Sequence, residues 1–172
     1  VLNRIGLCGK LRAVNEVEAN SLRIAGIGGG RVGDAMVVVG NLLLDFDYTL
    51  MSSVWKVPNQ HFRNLALETM EERVGTLNKL GCDHTSESLE TYLAEAFVES
   101  LERPVNEVQF EKEEIQAGRN TASDLASLEF LSLHHPVGSA KPMKSIKISA
   151  DVFIHHIHFR FEGQEVDVSV RA

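Results

Sequence analysis

The sequence has few cysteines and no long hydrophobic run, and each absence excludes a class of protein. Its two cysteines, Cys8 and Cys82, are too few for a disulfide framework and do not form a C-x-x-C pair. The longest apolar runs, Met36–Val39 and Leu42–Leu44, are far too short to span a bilayer, and no secretory signal is visible. We therefore expect a cytoplasmic protein with reduced thiols and without a membrane partner.

The charge of the chain is unevenly distributed. Hydrophobic residues make up 44% of the 172 residues and charged residues 24%, which is typical of a globular protein and excludes intrinsic disorder and a collagen-like chain. The formal net charge is −7. Residues 1–65 carry seven basic and five acidic side chains, residues 66–131 five and fifteen, and residues 132–172 five and four. All of the net negative charge therefore lies in the middle third, so the total does not exclude a nucleic-acid partner for the two ends.

Patterns typical of β-strands lie at both ends of the chain. An apolar and β-branched run over Arg4–Val14 is compatible with a strand, and a glycine cluster and further apolar stretches follow up to Leu44. At the other end, alternation over Ile154–Phe161 and Glu165–Arg171 predicts a hairpin. Its turn is expected at Glu162-Gly163-Gln164.

The centre of the chain has the periodicity of helices. From Asn59 onward apolar residues recur at helical spacing, and Gly81 follows as a C-cap. Thr85 opens a cluster of N-cap residues for a second helix, which ends at Arg103 before a proline. Residues 59–103 are therefore predicted to form a helical pair.

Strands on both sides of a helical centre predict an α+β fold rather than a Rossmann series. We expect a single domain over residues 1–172, with a ferredoxin-like antiparallel sheet of about four strands and the helices on one face. Val105–Lys112 alternates like a half-exposed strand. Residues 113–143 are expected to be an insertion or an irregular segment.

The glycine cluster contains a literal G-x-G-x-x-G between Gly28 and Gly33. In dinucleotide sites such glycines let backbone N–H groups approach a pyrophosphate at the N-terminus of a helix. The residues after Gly33 are β-branched and interrupted by Gly40, so that helix is not predicted here. The cluster is better interpreted as a flexible turn, or as a loop in which another phosphate backbone approaches Arg31.

Two further patterns have both a chemical and a structural interpretation. Asp45, Asp47 and Thr49 match the D-x-D-x-T pattern of haloacid-dehalogenase-like phosphatases, but no downstream lysine and acidic pair completes that site. His156 and His158 lie on one face of the predicted hairpin strand and are candidate metal ligands. A strand with one apolar and one polar face explains these histidines as well, and we expect neither a metal nor another cofactor.

Three segments, taken in order, resemble the RNA-coating backbone subunits of CRISPR interference complexes, the repeat-associated mysterious protein superfamily. The family's first strand and the glycine-bearing loop after it resemble GKLRAVNEVEANSLRIAGIGGGRVGDAMVVV. Its Val-Pro or Ile-Pro entry to a helix with a polar and basic start is similar to VWKVPNQHFRNLALETMEERV. Its late polar loop and aromatic strand resemble HHPVGSAKPMKSIKISADVFIHHIHFRFEG. Together the segments cover about half of the chain.

The resemblance implies an RRM-like core with inserted segments and a guide-RNA-binding role in antiviral defense. Copies of the chain would assemble with one another and with other subunits as a filament along a guide RNA, and base pairing would recognise the target nucleic acid. The candidate phosphate contacts are Gly28, Gly29, Gly30, Arg31, Lys56, His61, Arg63, Lys141 and Lys144. Asp34 lies at about the place where some family members carry the acidic residue that cuts target RNA.

Two other function classes remain open at this point. One is a small-molecule enzyme with the tunnelling fold, similar to enzymes that convert pterins or purines. Their helix-to-strand element resembles HTSESLETYLAEAFVESLERPVNEVQFEKEE, in which Glu111 or Glu113 would anchor the pterin ring. The histidines would hold Zn²⁺, although in those enzymes they precede this helix and here they follow it. The other class is an α+β scaffold without a ligand.

Overall fold

The structure is a computed structural model, and it describes residues 1–12, 14–133, 142 and 144–172. The chain divides into two compact units. The first unit consists of Val1–Leu93 together with Met143–Ala172, and the second consists of Ala94–Pro142. Within the described ranges, no helix is long and apolar enough to cross a membrane.

Four strands of the first unit form an antiparallel sheet in which neighbours in the chain are also neighbours in the sheet. A short 3-10 helix, Leu2–Ile5, precedes them. The strands are β1 (Gly9–Arg12), β2 (Glu16–Ala19), β3 (Leu22–Val32) and β4 (Ala35–Leu42). The turn between β3 and β4 contains Gly33, whose φ of 59° is left-handed and is adopted by glycine without strain.

The glycine cluster lies inside strand β3 and not in a loop. Gly28–Gly30 pair with Val37–Val39 of β4, and the chain turns only at Gly33 and Asp34. Glycine weakens a strand, but its N–H and C=O groups pair like those of any residue when a β-branched partner strand is available. The prediction of a loop at the glycines is therefore wrong, because pairing with β4 outweighs the low strand preference of glycine.

Three strands at the end of the chain form a second antiparallel sheet, also in chain order. They are β5 (Ser145–Ser149), β6 (Val152–Phe161) and β7 (Gln164–Arg171). The predicted hairpin is confirmed as β6 and β7. Its two turn residues, Glu162 and Gly163, have positive φ values of 48° and 82°, as the tightest hairpin turns require.

Two helices, α1 (Tyr48–Val54) and α2 (Gln60–Arg73), belong to the first unit, and a third, α3 (Ser86–Leu101), begins there. The second unit also holds α4 (Lys112–Leu125) and α5 (Leu128–Leu131). The start of α2 was predicted correctly, because the Asn59 side chain accepts a hydrogen bond from the Phe62 N–H at 2.8 Å. Val105–Phe110 forms no strand, and α4 begins with a capping box between Glu111 and Glu114.

Helix α2 ends at Arg73, well before the predicted C-cap Gly81. The following residues leave the helix because they join the edge of β3, where the Gly75 N–H donates to the Arg23 carbonyl at 2.8 Å. A Cβ on Gly75 would lie only 2.8 Å from the Leu22 Cβ, so this close approach requires glycine. Gly81 has a φ of 76° in the turn that follows.

The first unit contains two hydrophobic clusters, one on each sheet. The buried residues of the first are Leu7, Ala19, Ile24, Ala25, Leu77 and Leu89. Those of the second are Phe62, Ala66, Met70, Val74, Ile148 and Ile154, which pack α2 against β5 and β6. Each strand pair in both sheets is antiparallel, so the predicted α+β class with antiparallel pairing is confirmed.

Candidate functional site

A cavity of about 250 Å³ lies in the first unit, where residues from the first sheet, α1, α2 and β5 meet. Most of the side chains around it are apolar, and three are polar or charged. Its lining residues are Arg23, Ala25, Asn41, Leu43, Phe46, Met51, Trp55, Met70, Val74, Lys147 and Ile148. We refer to it as the Trp55 cavity, after the single tryptophan of the chain.

Local hydrogen bonds hold the apolar wall of the Trp55 cavity in place. Asp47 caps α1 by accepting from the Leu50 N–H at 2.8 Å. The Arg63 guanidinium of α2 donates to the carbonyl oxygens of Ser52 and Trp55, the latter at 3.0 Å. Arg63 therefore fixes the connection between α1 and α2 that carries Trp55.

Tyr48 joins the start of α1 to the end of α2. Its hydroxyl donates to the Val74 carbonyl at 2.8 Å, and Val74 lines the cavity. Burial, followed by the negative charges of Asp45 and Glu71, raises the pKa of the Tyr48 hydroxyl above its ordinary value. The hydroxyl therefore stays protonated and able to donate throughout the neutral pH range.

Arg23 and Lys147 bring positive charge to the cavity from different sheets. Arg23 belongs to β3 and donates to the Ile148 carbonyl at 3.1 Å. Lys147 belongs to β5, whose pairing with β6 shifts in register between Lys147 and Ser149. Such an irregularity redirects side chains, so that the consecutive residues Lys147 and Ile148 both line the cavity. The Arg23 and Lys147 side chains remain 33% and 37% exposed, so a ligand is able to reach them.

A buried carboxylate, Glu16, lies behind the two cations. One of its oxygens is 2.7 Å from the Lys147 Nζ and 3.8 Å from an Arg23 guanidinium nitrogen. The other accepts from the Ala150 N–H at 2.6 Å. Two cations beside one carboxylate leave a net positive charge at this wall, which suits an anionic ligand.

The β3–β4 hairpin holds the first group of predicted RNA contacts. Gly28–Gly30 are exposed along β3. The Arg31 guanidinium donates to the Gly33 carbonyl at 2.9 Å and to an Asp34 carboxylate oxygen at 3.1 Å. Arg31 and the fully exposed Asp34 therefore form an ion pair at the hairpin turn.

The other predicted RNA contacts are spread over several elements. Lys56 is exposed between α1 and α2, and His61 is exposed in the first turn of α2. Arg63 is half-buried, with donors engaged by backbone carbonyls as described above. Lys144 is exposed immediately before β5, whereas Lys141 lies outside the described residues.

His156 and His158 form a ladder with acidic residues across the β6–β7 hairpin. His158 Nδ1 is 3.0 Å from an Asp167 oxygen, and His158 Nε2 is 3.0 Å from a Glu165 oxygen. His156 Nε2 is 3.2 Å from the same Asp167 oxygen. Among the described residues no group of three or more histidines, cysteines or acidic residues is placed to hold a metal ion.

This ladder predicts an acid-sensitive contribution to stability. Hydrogen bonding from His158 lowers the pKa of Asp167 below its ordinary value of 3.8, so folding is favoured when Asp167 is ionised. The contribution is complete above pH 3.8 and is lost as the pH falls through the lowered value. We expect Asp167→Asn to reduce the melting temperature near neutral pH, and the difference from wild type to shrink only as the pH falls below 3.8. Thermal unfolding followed by circular dichroism from acid to neutral pH measures this, with the exposed Glu107→Gln as control; a difference independent of pH would contradict the assignment.

The remaining sequence motifs have local structural roles. Asp45 accepts from the Phe46 N–H at 2.8 Å, and Asp47 caps α1 as described. Glu111 is the N-cap of α4, and Glu113 lies in its first turn.

Sequence reasoning missed the two cations that line the Trp55 cavity, Arg23 and Lys147, and the buried Glu16 behind them. The sequence does indicate that Lys147 lies on a strand, since it stands between the β-branched residues Ile146 and Ile148. No local pattern predicts that Glu16 meets it, because the two residues come from opposite ends of the chain.

Comparison with known proteins identifies a neighbour in fold. No protein-family model matches the chain, and no curated protein matches it. A chain from the structural analysis of an archaeal lipoylation system, a bi-partite lipoate protein ligase and its E2 lipoyl domain from Thermoplasma acidophilum, superposes with a TM-score of 0.67 at 21% sequence identity. The match covers 83% of this chain and 55% of that chain. The fold is therefore shared, and the present chain spans little more than half of its neighbour's length.

Proposed function

We propose that the Trp55 cavity binds a medium-chain acyl group of the lipoyl type, as part of a lipoate-ligase-like protein. The observation that carries the proposal is the pairing of an apolar cavity with two cations in its wall, Arg23 and Lys147. The neighbour in fold comes from a lipoylation system, which supports the choice of acyl group. The proposal is confined to acyl binding, because the chain spans 55% of that neighbour.

The apolar part of the cavity suits a hydrocarbon chain. Phe46, Met51, Trp55 and Met70 contribute aromatic and thioether surface. Methionine side chains adapt to irregular ligands, and sulfur packs favourably against aromatic rings, which fits the dithiolane ring of lipoate. Small-ligand sites generally combine such a lining with a few polar groups that fix orientation.

The charged part of the cavity suits the carboxyl end of the acyl group. Arg23 and Lys147 have donors that are able to bind a carboxylate or an acyl carbonyl oxygen, and Asn41 adds a neutral polar group. When a carboxylate is joined to an amine, one of the carboxylate oxygens has to become a leaving group. Negative charge then develops on the acyl oxygens. Fixed cations at that place stabilise this charge.

Titration of the purified chain with lipoate tests the proposal. Trp55 is the single tryptophan and lines the cavity, so its fluorescence reports binding directly. We expect a saturable change with lipoate and with octanoate, and heat of binding by calorimetry with the same midpoint. Lipoamide has the same ring and chain without the negative charge, and we expect it to bind more weakly. Absence of saturable binding of both acids in both measurements would overturn the proposal.

The guide-RNA role, with its RRM-like or ferredoxin-like core in a cytoplasmic complex, stays a second proposal. One observation favours it: Gly28–Gly30 expose a strand backbone without covering side chains, and Arg31 follows directly. Filter binding of single-stranded RNA to the chain tests this role, with a double variant that carries both Arg31→Ala and Lys144→Ala. Unchanged affinity and salt dependence in the double variant would contradict it.

A further inference from the structure

The strongest unexplained feature of the first unit is the buried carboxylate of Glu16. Glu16 is only 2% exposed, although it carries a charge. It joins the two sheets, since it lies in β2 and receives hydrogen bonds from Lys147 and Ala150 near the end of β5. Burying a carboxylate is costly unless partners satisfy it, and here each oxygen has a close donor.

The Glu16–Lys147 contact fixes a side chain that would otherwise be mobile. A lysine ammonium is carried on a flexible stem, and the Lys147 side chain is 37% exposed. At 2.7 Å its Nζ is within hydrogen-bond distance of the Glu16 carboxylate. The ammonium is thereby held at the cavity wall, with one of its three N–H groups donating to Glu16.

A lysine at an acyl site also presents a chemical hazard. If an activated acyl group occupies the cavity, a free Lys147 amine is able to attack the acyl carbon. A C–N bond then forms, the C–O bond to the leaving group breaks, and the nitrogen loses a proton. The product is an acylated Lys147 without its positive charge. Held 2.7 Å from the Glu16 carboxylate, the Nζ is kept from approaching the acyl carbon for this attack.

We infer that Glu16 is a positioning residue, which holds Lys147 as a charge at the cavity wall and protects its amine from acylation. The inference rests on the proposed acyl-binding function, and it assigns Glu16 a positioning role within that site. Glu18 offers a matched comparison on the same strand. It pairs with Arg12 at 3.5 Å, and neither of these two residues lines the cavity.

The experiment uses the N-hydroxysuccinimide ester of lipoate as the activated acyl probe. Wild type, Glu16→Gln and Glu18→Gln are treated with it at neutral pH, and acylation of each lysine is followed by mass spectrometry. We expect Lys147 to be acylated about tenfold faster in Glu16→Gln than in wild type, since one hydrogen bond to a charged group is lost. Glu18→Gln is expected to match wild type.

Two internal references separate positioning from a general loss of structure. Lys10 is exposed, and Lys79 donates to the Glu71 carbonyl within the same unit. If Glu16→Gln merely loosens the fold, acylation of Lys79 rises together with that of Lys147, and the inference is overturned. It is also overturned if the Lys147 rate does not change. Should Glu16→Gln fail to fold, Glu16→Asp withdraws the carboxylate by one methylene, and a smaller specific rise is expected.

An excess of free lipoate tests the proposed function separately. If lipoate protects Lys147 in Glu16→Gln, both ideas are supported. If Lys147 is specifically released by Glu16→Gln but lipoate gives no protection, the acyl-binding function fails while the positioning role of Glu16 stands.

Discussion

Replacing Lys147 by methionine is expected to weaken lipoate binding by about tenfold, because the substitution removes the ammonium and keeps the side-chain stem. A hydrogen bond to a charged group contributes about 1.5–3 kcal/mol, and the lower end applies here because Lys147 is 37% exposed and partly screened. About 1.4 kcal/mol corresponds to a tenfold change in affinity. Titration followed by Trp55 fluorescence measures the effect, and Lys10→Met on the exposed strand β1 is the matched control.

Comparing lipoate with lipoamide in Lys147→Met also separates the contribution of the Lys147 charge to binding from that of side-chain packing. Lipoamide carries no negative charge, so its affinity is expected to fall less than that of lipoate in Lys147→Met. The variant also leaves Glu16 without its closest cationic partner, and a lower unfolding temperature is expected in addition. Affinities are therefore compared only at temperatures where circular dichroism finds both proteins folded. Equal affinity for lipoate in Lys147→Met and wild type would exclude Lys147 as a ligand of the acyl group.

Phe62→Ala is expected to reduce the free energy of unfolding by about 3–5 kcal/mol, the usual cost of removing a fully buried aromatic side chain. Phe62 is 0% exposed and packs between α2 and the second sheet. Its ring also meets the His156 ring edge-to-face, with centroids 6.4 Å apart. Denaturation by urea measures the loss, and Phe161→Ala, at a ring that is 59% exposed, is the control. A loss equal to that of the control would mean that α2 does not pack on the second sheet as described.

Secondary structure was predictable from the sequence where short-range signals determine it. Asn59 predicts the start of α2 because its side chain accepts a hydrogen bond from the N–H of the third residue after it. The Glu162-Gly163 turn predicts the final hairpin. The glycines of β3 predict a loop where a strand is present, because their pairing depends on valines in another strand. The alternation over Val105–Phe110 predicts a strand where none forms, since an alternating segment forms a strand only when a partner strand is present.

The candidate site was less predictable than the fold class. The sequence makes Arg63 a candidate phosphate contact because it is basic and near a helix start, and the structure adds that its guanidinium donates to backbone carbonyls of the α1–α2 connection. The sequence does not predict Lys147 and Glu16 as site residues, because their role depends on a contact between residues that are 131 positions apart. The irregular pairing of β5, which brings Lys147 and Ile148 to one cavity, leaves no trace in a pattern of alternating residues.

The contact between Glu16 and β5 has a consequence for how the protein is made. During synthesis the first sheet, α1 and α2 emerge from the ribosome long before Lys147, so the nascent chain carries most of the apolar wall while one side of the cavity is still open. Glu16 remains without its two donors, Lys147 on β5 and Ala150 just after it, throughout this interval. Closing so long a loop is slow compared with forming local hairpins. The charged wall is therefore completed last, and a chain that stops before β5 lacks two residues of the cavity lining, Lys147 and Ile148.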